Sequence, residues 1–199
     1  SIIKFAIDSS MTPGVQLLVA RNSKVIYEKN YGKLRYNKDK SVNSYTRYDL
    51  ASLTKMLVTL PLVMRLYDNK VISLNSTLRE LLPDYKDSNK AYTTIKEMLS
   101  AFSYFKAWIP FYEQTIDSIS GNLKPGLYKS KFDDDFSLKI NKDMYLISSY
   151  KDTILNIVRE SELNTERYKY SDLPYFIMQN YIETYYNDNL DNLSNQQFF

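Results

Sequence analysis

Apolar residues recur at helical spacing in the first ten positions. Ile2 and Phe5 stand three apart and Ile3 and Ile7 four apart, which predicts a helix over residues 1–10. Met11-Thr12-Pro13-Gly14 is turn chemistry, and Val15-Gln16-Leu17-Leu18-Val19-Ala20 is β-rich. Arg21 to Lys24 reads as a hairpin connection and Val25 to Tyr31 as the return strand, closed by Gly32. The first strand is apolar enough to lie inside a sheet. Asp49 is placed to cap a long helix over Leu50–Asp68, apolar on nearly all sides and therefore expected to be buried, with a kink at Pro61. Short helices follow over Ser76–Leu82, ending at Pro83, and over Thr94–Ala101, capped by Thr93 or Thr94. Residues 103–145 read as irregular. Two further helices are predicted, over Tyr150–Glu160 and Leu173–Tyr185. Strands come early and helices later, so the expected class is α+β: a hairpin region over residues 1–48 and a helical lobe over 49–199.

Composition narrows the chemistry. The 199 residues are 44% hydrophobic, enough for a real core, and the net charge of +3 argues for neither nucleic acid nor an anionic membrane as partner. Cysteine and histidine are both absent. Thiol catalysis, disulfides, zinc–thiolate sites and every histidine-based triad are thereby excluded. A general base has to be Lys, Tyr, Asp or Glu. The run Asp133-Asp134-Asp135 reads as a solvated loop rather than a metal site, and no cofactor is implied. No signal-type apolar stretch opens the chain, and no span approaches the roughly 20 apolar residues of a membrane helix.

A serine followed three residues later by a lysine occurs at Ser1/Lys4, Ser52/Lys55, Ser103/Lys106 and Ser148/Lys151. Chance supplies roughly one such pair per 200 residues, so spacing alone decides nothing. Only Ser52/Lys55 stands at the start of a long apolar helix, where the pair shares a face that Thr59 extends. A lysine desolvated there would lose pKa and take a proton from the serine hydroxyl, and the helix N-terminus would favour a developing oxyanion. A lysine that merely reaches out to solvent is the plainer alternative.

The segment Tyr48-Asp49-Leu50-Ala51-Ser52-Leu53-Thr54-Lys55 resembles the nucleophile segment of the class C β-lactamase and penicillin-binding-protein family of serine hydrolases. Pro13 to Ala20, followed by Lys24-Val25 and Gly32, is similar to that family's N-terminal hairpin. Leu66 to Asn75 resembles its helix exit, and Leu81-Leu82-Pro83-Asp84-Tyr85 its next helix end. Tyr168-Lys169-Tyr170-Ser171-Asp172-Leu173 resembles the second catalytic motif, Tyr-x-Asn, with Asp172 in the Asn place. Ala107 to Tyr112 is similar to the branch of such domains fused to family 3 glycoside hydrolases. The resemblance implies a β-lactamase/transpeptidase-like fold with Ser52 as nucleophile and Lys55 and Tyr170 as its proton-handling partners. Asp172 would orient Lys55 and the substrate, and its charge would raise the lysine pKa. The implied substrates are small esters, β-lactams or D-amino-acid peptides, and the implied location is periplasmic or secreted.

The pattern departs from the family in two places. The third motif, a Lys-Thr-Gly or His-x-Gly strand after the tyrosine, has no counterpart, since no glycine follows Gly126. The loop Leu99 to Phe105 lacks the family's His and Gly. The resemblance ends near Phe199, about the middle of a usual family domain, so the later sheet strands are expected to be missing and any activity weak. Two functions follow. One is a serine hydrolase working through a Ser52 acyl-enzyme. The other is a non-catalytic relative that binds cell-wall peptide or a protein partner.

Overall fold

The computed structural model describes residues 1–198. The chain forms two compact units, one over Ser1–Ala51 and one from Ser52 onward.

The first unit begins with helix α1 (Ile2–Asp8), whose N-terminus is capped by the Ser1 hydroxyl accepting from the Lys4 N–H. Strands β1 (Gly14–Arg21) and β2 (Lys24–Gly32) pair antiparallel from Gly14↔Gly32 to Arg21↔Lys24, with an irregularity at Val19/Ala20. Asn22 and Ser23 between them have φ of 49° and 61°, the positive values that a two-residue hairpin turn requires. The glycines at the open end allow close backbone approach. A Cβ on Gly14 would lie 2.4 Å from the Lys33 carbonyl oxygen, and one on Gly32, at φ 68°, 2.3 Å from that of Pro13. Among the described residues this sheet has two strands, and Leu18, Val25 and Ile26 are exposed.

The helix expected over Leu50–Asp68 starts later than its sequence suggests. Asp49 does not cap it: its carboxylate accepts the Ala51 N–H at 2.8 Å in a local turn, and Ala51 takes φ 44°. Helical backbone begins at Leu53 and widens into a π-turn over Lys55–Thr59, closed by the Leu60 N–H on the Lys55 carbonyl. Helix α2 (Leu60–Asp68) follows. The cause of the π-turn is Pro61, which has no N–H to offer the preceding turn and whose ring would collide with the carbonyl four residues back. Nor is this helix buried all round. Leu62, Val63 and Leu66 are buried, whereas Leu53, Met56, Leu57 and Met64 are exposed.

The core of the second unit gathers Leu62 and Leu66 with residues from short helices α3 (Leu78–Leu81) and α4 (Ile95–Leu99) and from α5 (Tyr150–Glu160) and α6 (Leu173–Tyr186). Thr94 caps α4 in a reciprocal box. Its hydroxyl accepts the Glu97 N–H, while the Glu97 carboxylate accepts the Thr94 N–H. Residues 103–145 are not wholly irregular. They carry strands β3 (Tyr128–Lys129) and β4 (Leu138–Asn141), which with β5 (Met144–Leu146) form a three-stranded antiparallel sheet in the order β3-β5-β4. These strands are short and lack strict alternation, so periodicity did not reveal them. The Asp133 side chain caps its own turn and pairs with Lys129 at 2.6 Å.

Two buried or half-buried charges tie the helices together. Lys90, fully buried, donates to Asn89 Oδ1 and to the carbonyls of Arg159 and Ser161 at the C-terminal end of α5, where a cation is favoured. Glu183 on α6 meets Lys151 of α5 at 2.5 Å and accepts from Gln179 and from the Leu190 N–H, the first residue of helix α7 (Leu190–Gln197). Burial pushes the Glu183 pKa up, but these donors outweigh it and hold the carboxyl below its ordinary value.

Two outcomes are expected. Gly32→Ala, which combines a positive φ with backbone overlap, should destabilise the hairpin by on the order of 1–3 kcal/mol, read as faster amide exchange in β1 and β2. Glu183→Gln should lower stability at neutral pH. Because the folded pKa of Glu183 is depressed, its contribution is present above the unfolded value and lost as pH falls through the folded one. Denaturation curves of the two proteins should therefore converge in acid.

Candidate active site

The polar residues singled out in the sequence come from two places in the second unit. Ser52 and Lys55 lie at the start of the long helix. Tyr170 and Asp172 lie on the segment leading into α6. That segment is held by the loop after α4. The Lys169 N–H donates to the Ala101 carbonyl at 2.9 Å, the Asp172 N–H to that of Ala107 at 2.8 Å, and the Ser171 hydroxyl to that of Lys106 at 2.6 Å. Phe102 and Tyr168 stack with ring centroids 5.1 Å apart. The loop makes its bends without glycine. Ala101 and Tyr104 take φ of 61° and 58°, each at a cost of about 1 kcal/mol relative to glycine.

Asp172 occupies the N-cap position of α6, yet its carboxylate makes no capping hydrogen bond. The Leu173 N–H is taken by the Ser171 hydroxyl at 3.1 Å instead. Asp172 is thereby left to face Lys55, with Oδ1 2.6 Å from Nζ. Oδ1 is buried against the lysine. Lys55 Nζ also donates to Ser52 Oγ at 3.0 Å. The rings of Tyr170 and Tyr175 have centroids 5.4 and 5.5 Å from Nζ, within cation–π range.

The Lys55 side chain is only 14% exposed. Burial works against its charge, but Asp172 and the Tyr170 oxygen together outweigh burial and raise its pKa above the ordinary lysine value. The rise expected from the charge of Asp172 is therefore found, and the fall expected of desolvation alone is not. Lys55 is an ammonium, a donor to Ser52 rather than an acceptor of its proton. Thr59 does not extend the polar stripe. It is buried in the core, because the π-turn rotates it away from Ser52, which is exposed.

Geometry separates the four serine–lysine pairs. Ser1 caps α1 through the backbone of Lys4. Ser103 is buried, and its hydroxyl has no partner among the described residues. Ser148 donates to the Asp135 carbonyl while Lys151 is engaged by Glu183. Ser52 Oγ meets the ammonium of its own lysine. Tyr175 was not anticipated. Its signal in the sequence was position alone, three residues after Asp172 and within the first turn of α6, in a chain with 19 tyrosines. Among the described residues no cluster of acidic side chains could hold a metal ion, and no helix is long and apolar enough to cross a membrane.

An α+β fold of helices and small antiparallel sheets is that of the β-lactamase and transpeptidase type. The family model described as Beta-lactamase matches residues 3–116, more than half of the chain, and the chain belongs to that family. A curated relative, Protein flp of Staphylococcus aureus, is 27% identical over 106 residues, covering 52% of this chain and 21% of its own length. The class C beta lactamase from Rhodobacter sphaeroides superposes with a TM-score of 0.66 at 14% identity, over 99% of this chain and 46% of that one. EstCE1, a hydrolase with promiscuous acyltransferase activity, gives a TM-score of 0.69 at 19% identity, over 99% of this chain and 48% of that one. The chain thus spans about a fifth of the curated relative and about half of each solved structure.

Replacing Asp172 with Asn should lower the Lys55 pKa, measurable by side-chain NMR of the lysine. The ion pair stabilises the fold where both groups are charged. With a raised folded pKa, the Lys55 contribution is complete below the unfolded lysine value and lost as pH rises through the folded one. The stability difference between the two proteins, on the order of 1 kcal/mol for a partly exposed pair, should accordingly vanish in strong alkali.

Proposed function

We propose that this chain carries the acylation centre of a serine hydrolase in which Ser52 forms an acyl-enzyme with a small ester, a β-lactam or a D-amino-acid peptide. The observation that carries the proposal is the position of Lys55 Nζ, 3.0 Å from Ser52 Oγ and 2.6 Å from Asp172, beside Tyr170. Ser52 Oγ attacks the carbonyl carbon and a C–O bond forms. The serine proton passes to the Tyr170 hydroxyl, which gives its own proton on to the departing atom, while Lys55 stays protonated. The bond to the leaving group breaks, and the departing atom takes that proton from Tyr170. Water then repeats the sequence on the acyl carbon and restores Ser52. Lys55 acts as a fixed positive charge that orients the serine oxygen, and Asp172 holds Lys55 in place.

The division into a hairpin region, residues 1–48, and a helical lobe, residues 49–199, belongs to the same proposal, as does a periplasmic or secreted location. A second reading, a non-catalytic relative that binds cell-wall peptide or a protein partner, draws on the protonated state of Lys55, which leaves Ser52 without a basic amine.

Intact mass after incubation with a fluorophosphonate decides between them. One adduct per chain is expected, absent in Ser52→Ala and formed at least tenfold more slowly in Tyr170→Phe. Folded protein that takes no adduct would overturn catalysis and favour the binding relative.

A further inference from the structure

Lys55 is the positive charge nearest the candidate nucleophile, and its charge is already spent. Asp172 lies against it at 2.6 Å, and the faces of Tyr170 and Tyr175 close on it at 5.4 and 5.5 Å. The next lysine on the same segment, Lys169, is paired with Glu166 at 3.5 Å. The Asp172 side chain is 42% exposed, so a substrate beside Ser52 meets a carboxylate as well as the ammonium. A substrate anion here gains little from Lys55 and is repelled by Asp172. An uncharged substrate avoids that penalty, and a cationic one gains.

From this geometry we infer that Asp172 is a specificity-determining residue that selects neutral or cationic esters as acyl donors and rejects donors carrying a carboxylate. The inference rests on Ser52 acylation as proposed above and narrows its substrate class. The covalent step is unchanged: the Ser52 Oγ–acyl bond forms, the ester C–O bond breaks, and the alcohol leaves with the serine proton. What differs is the electrostatic work of bringing the acyl group to Ser52. One unit charge several ångströms from a second, at a partly exposed site, changes that work by enough to alter the rate about tenfold.

The test is a charge series on one scaffold: the 4-nitrophenyl esters of pentanoic acid (neutral), glutaric acid (one free carboxylate) and 5-aminopentanoic acid (cationic). Acylation rates are measured by nitrophenolate release and by intact mass, with Ser52→Ala as background. The expected order for the natural protein is cationic, then neutral, then anionic, with about tenfold between neutral and anionic. Asp172→Asn should shrink or reverse that gap by about the same factor while acting less on the neutral ester. A measurement on the unmodified protein covers the case in which the variant does not fold: the neutral-to-anionic ratio should fall towards one as salt rises. Equal rates for all three esters, or a ratio insensitive to both salt and Asp172→Asn, would overturn the selectivity while leaving Ser52 acylation standing. Absence of Ser52-dependent acylation by any of the three would overturn both.

Discussion

The contact between Lys55 and Asp172 organises the site, and its geometry depends on two helices packing correctly. The lysine sits where the long helix widens, and the aspartate sits at the first turn of α6. They meet because Leu62 and Leu66 on one helix and Leu173 and Ile177 on the other enter the same core. Hydrophobic burial supplies the free energy and is indifferent to chemistry. The ion pair supplies little net stability at this exposure but fixes where a charge stands relative to Ser52. The cap that Asp172 withholds from α6 is made good by its neighbour Ser171, so the carboxylate faces the lysine without leaving the first helical N–H unpaired.

Much of the frame was legible in the residues. The hairpin followed from β-rich runs on either side of a polar connection, α5 takes the bounds read for it, and the cap of α4 is one of the two threonines, Thr93 and Thr94, that the sequence offered. The three short strands between Tyr128 and Leu146 were not legible, because pieces of two to four residues show no period. Helix α7, rich in Asn and Gln, offered too weak an apolar stripe. The start of the long helix misled for a different reason: Asp49 has the identity of a cap, but its carboxylate closes a turn one residue pair too early.

At the site, the resemblance to the family's nucleophile and second-motif segments brought Ser52, Lys55, Tyr170 and Asp172 forward, and the fold places Lys55 next to each of the other three. Their protonation was harder to read. Burial alone would have depressed the lysine. Only the distance to Asp172 decides that pairing wins over desolvation, and a distance between residues more than a hundred positions apart is not a property of either segment. Tyr175 escaped for a similar reason, since nothing in a tyrosine-rich chain distinguishes one ring from another until its neighbour is known.

The π-turn before α2 has a consequence for how this helix can vary. An extra residue in one turn shifts everything beyond it by about 100° around the axis. Residues before the turn and residues after it therefore keep separate phases on what looks like one helix. Thr59, Leu62 and Leu66 answer to the core; Ser52 and Lys55 answer to the chemistry. Side chains on the packing side can be exchanged without re-aiming the nucleophile, whereas loss of a single residue between Met56 and Thr59 would bring the two phases into line and turn the serine and its lysine away from Asp172 together.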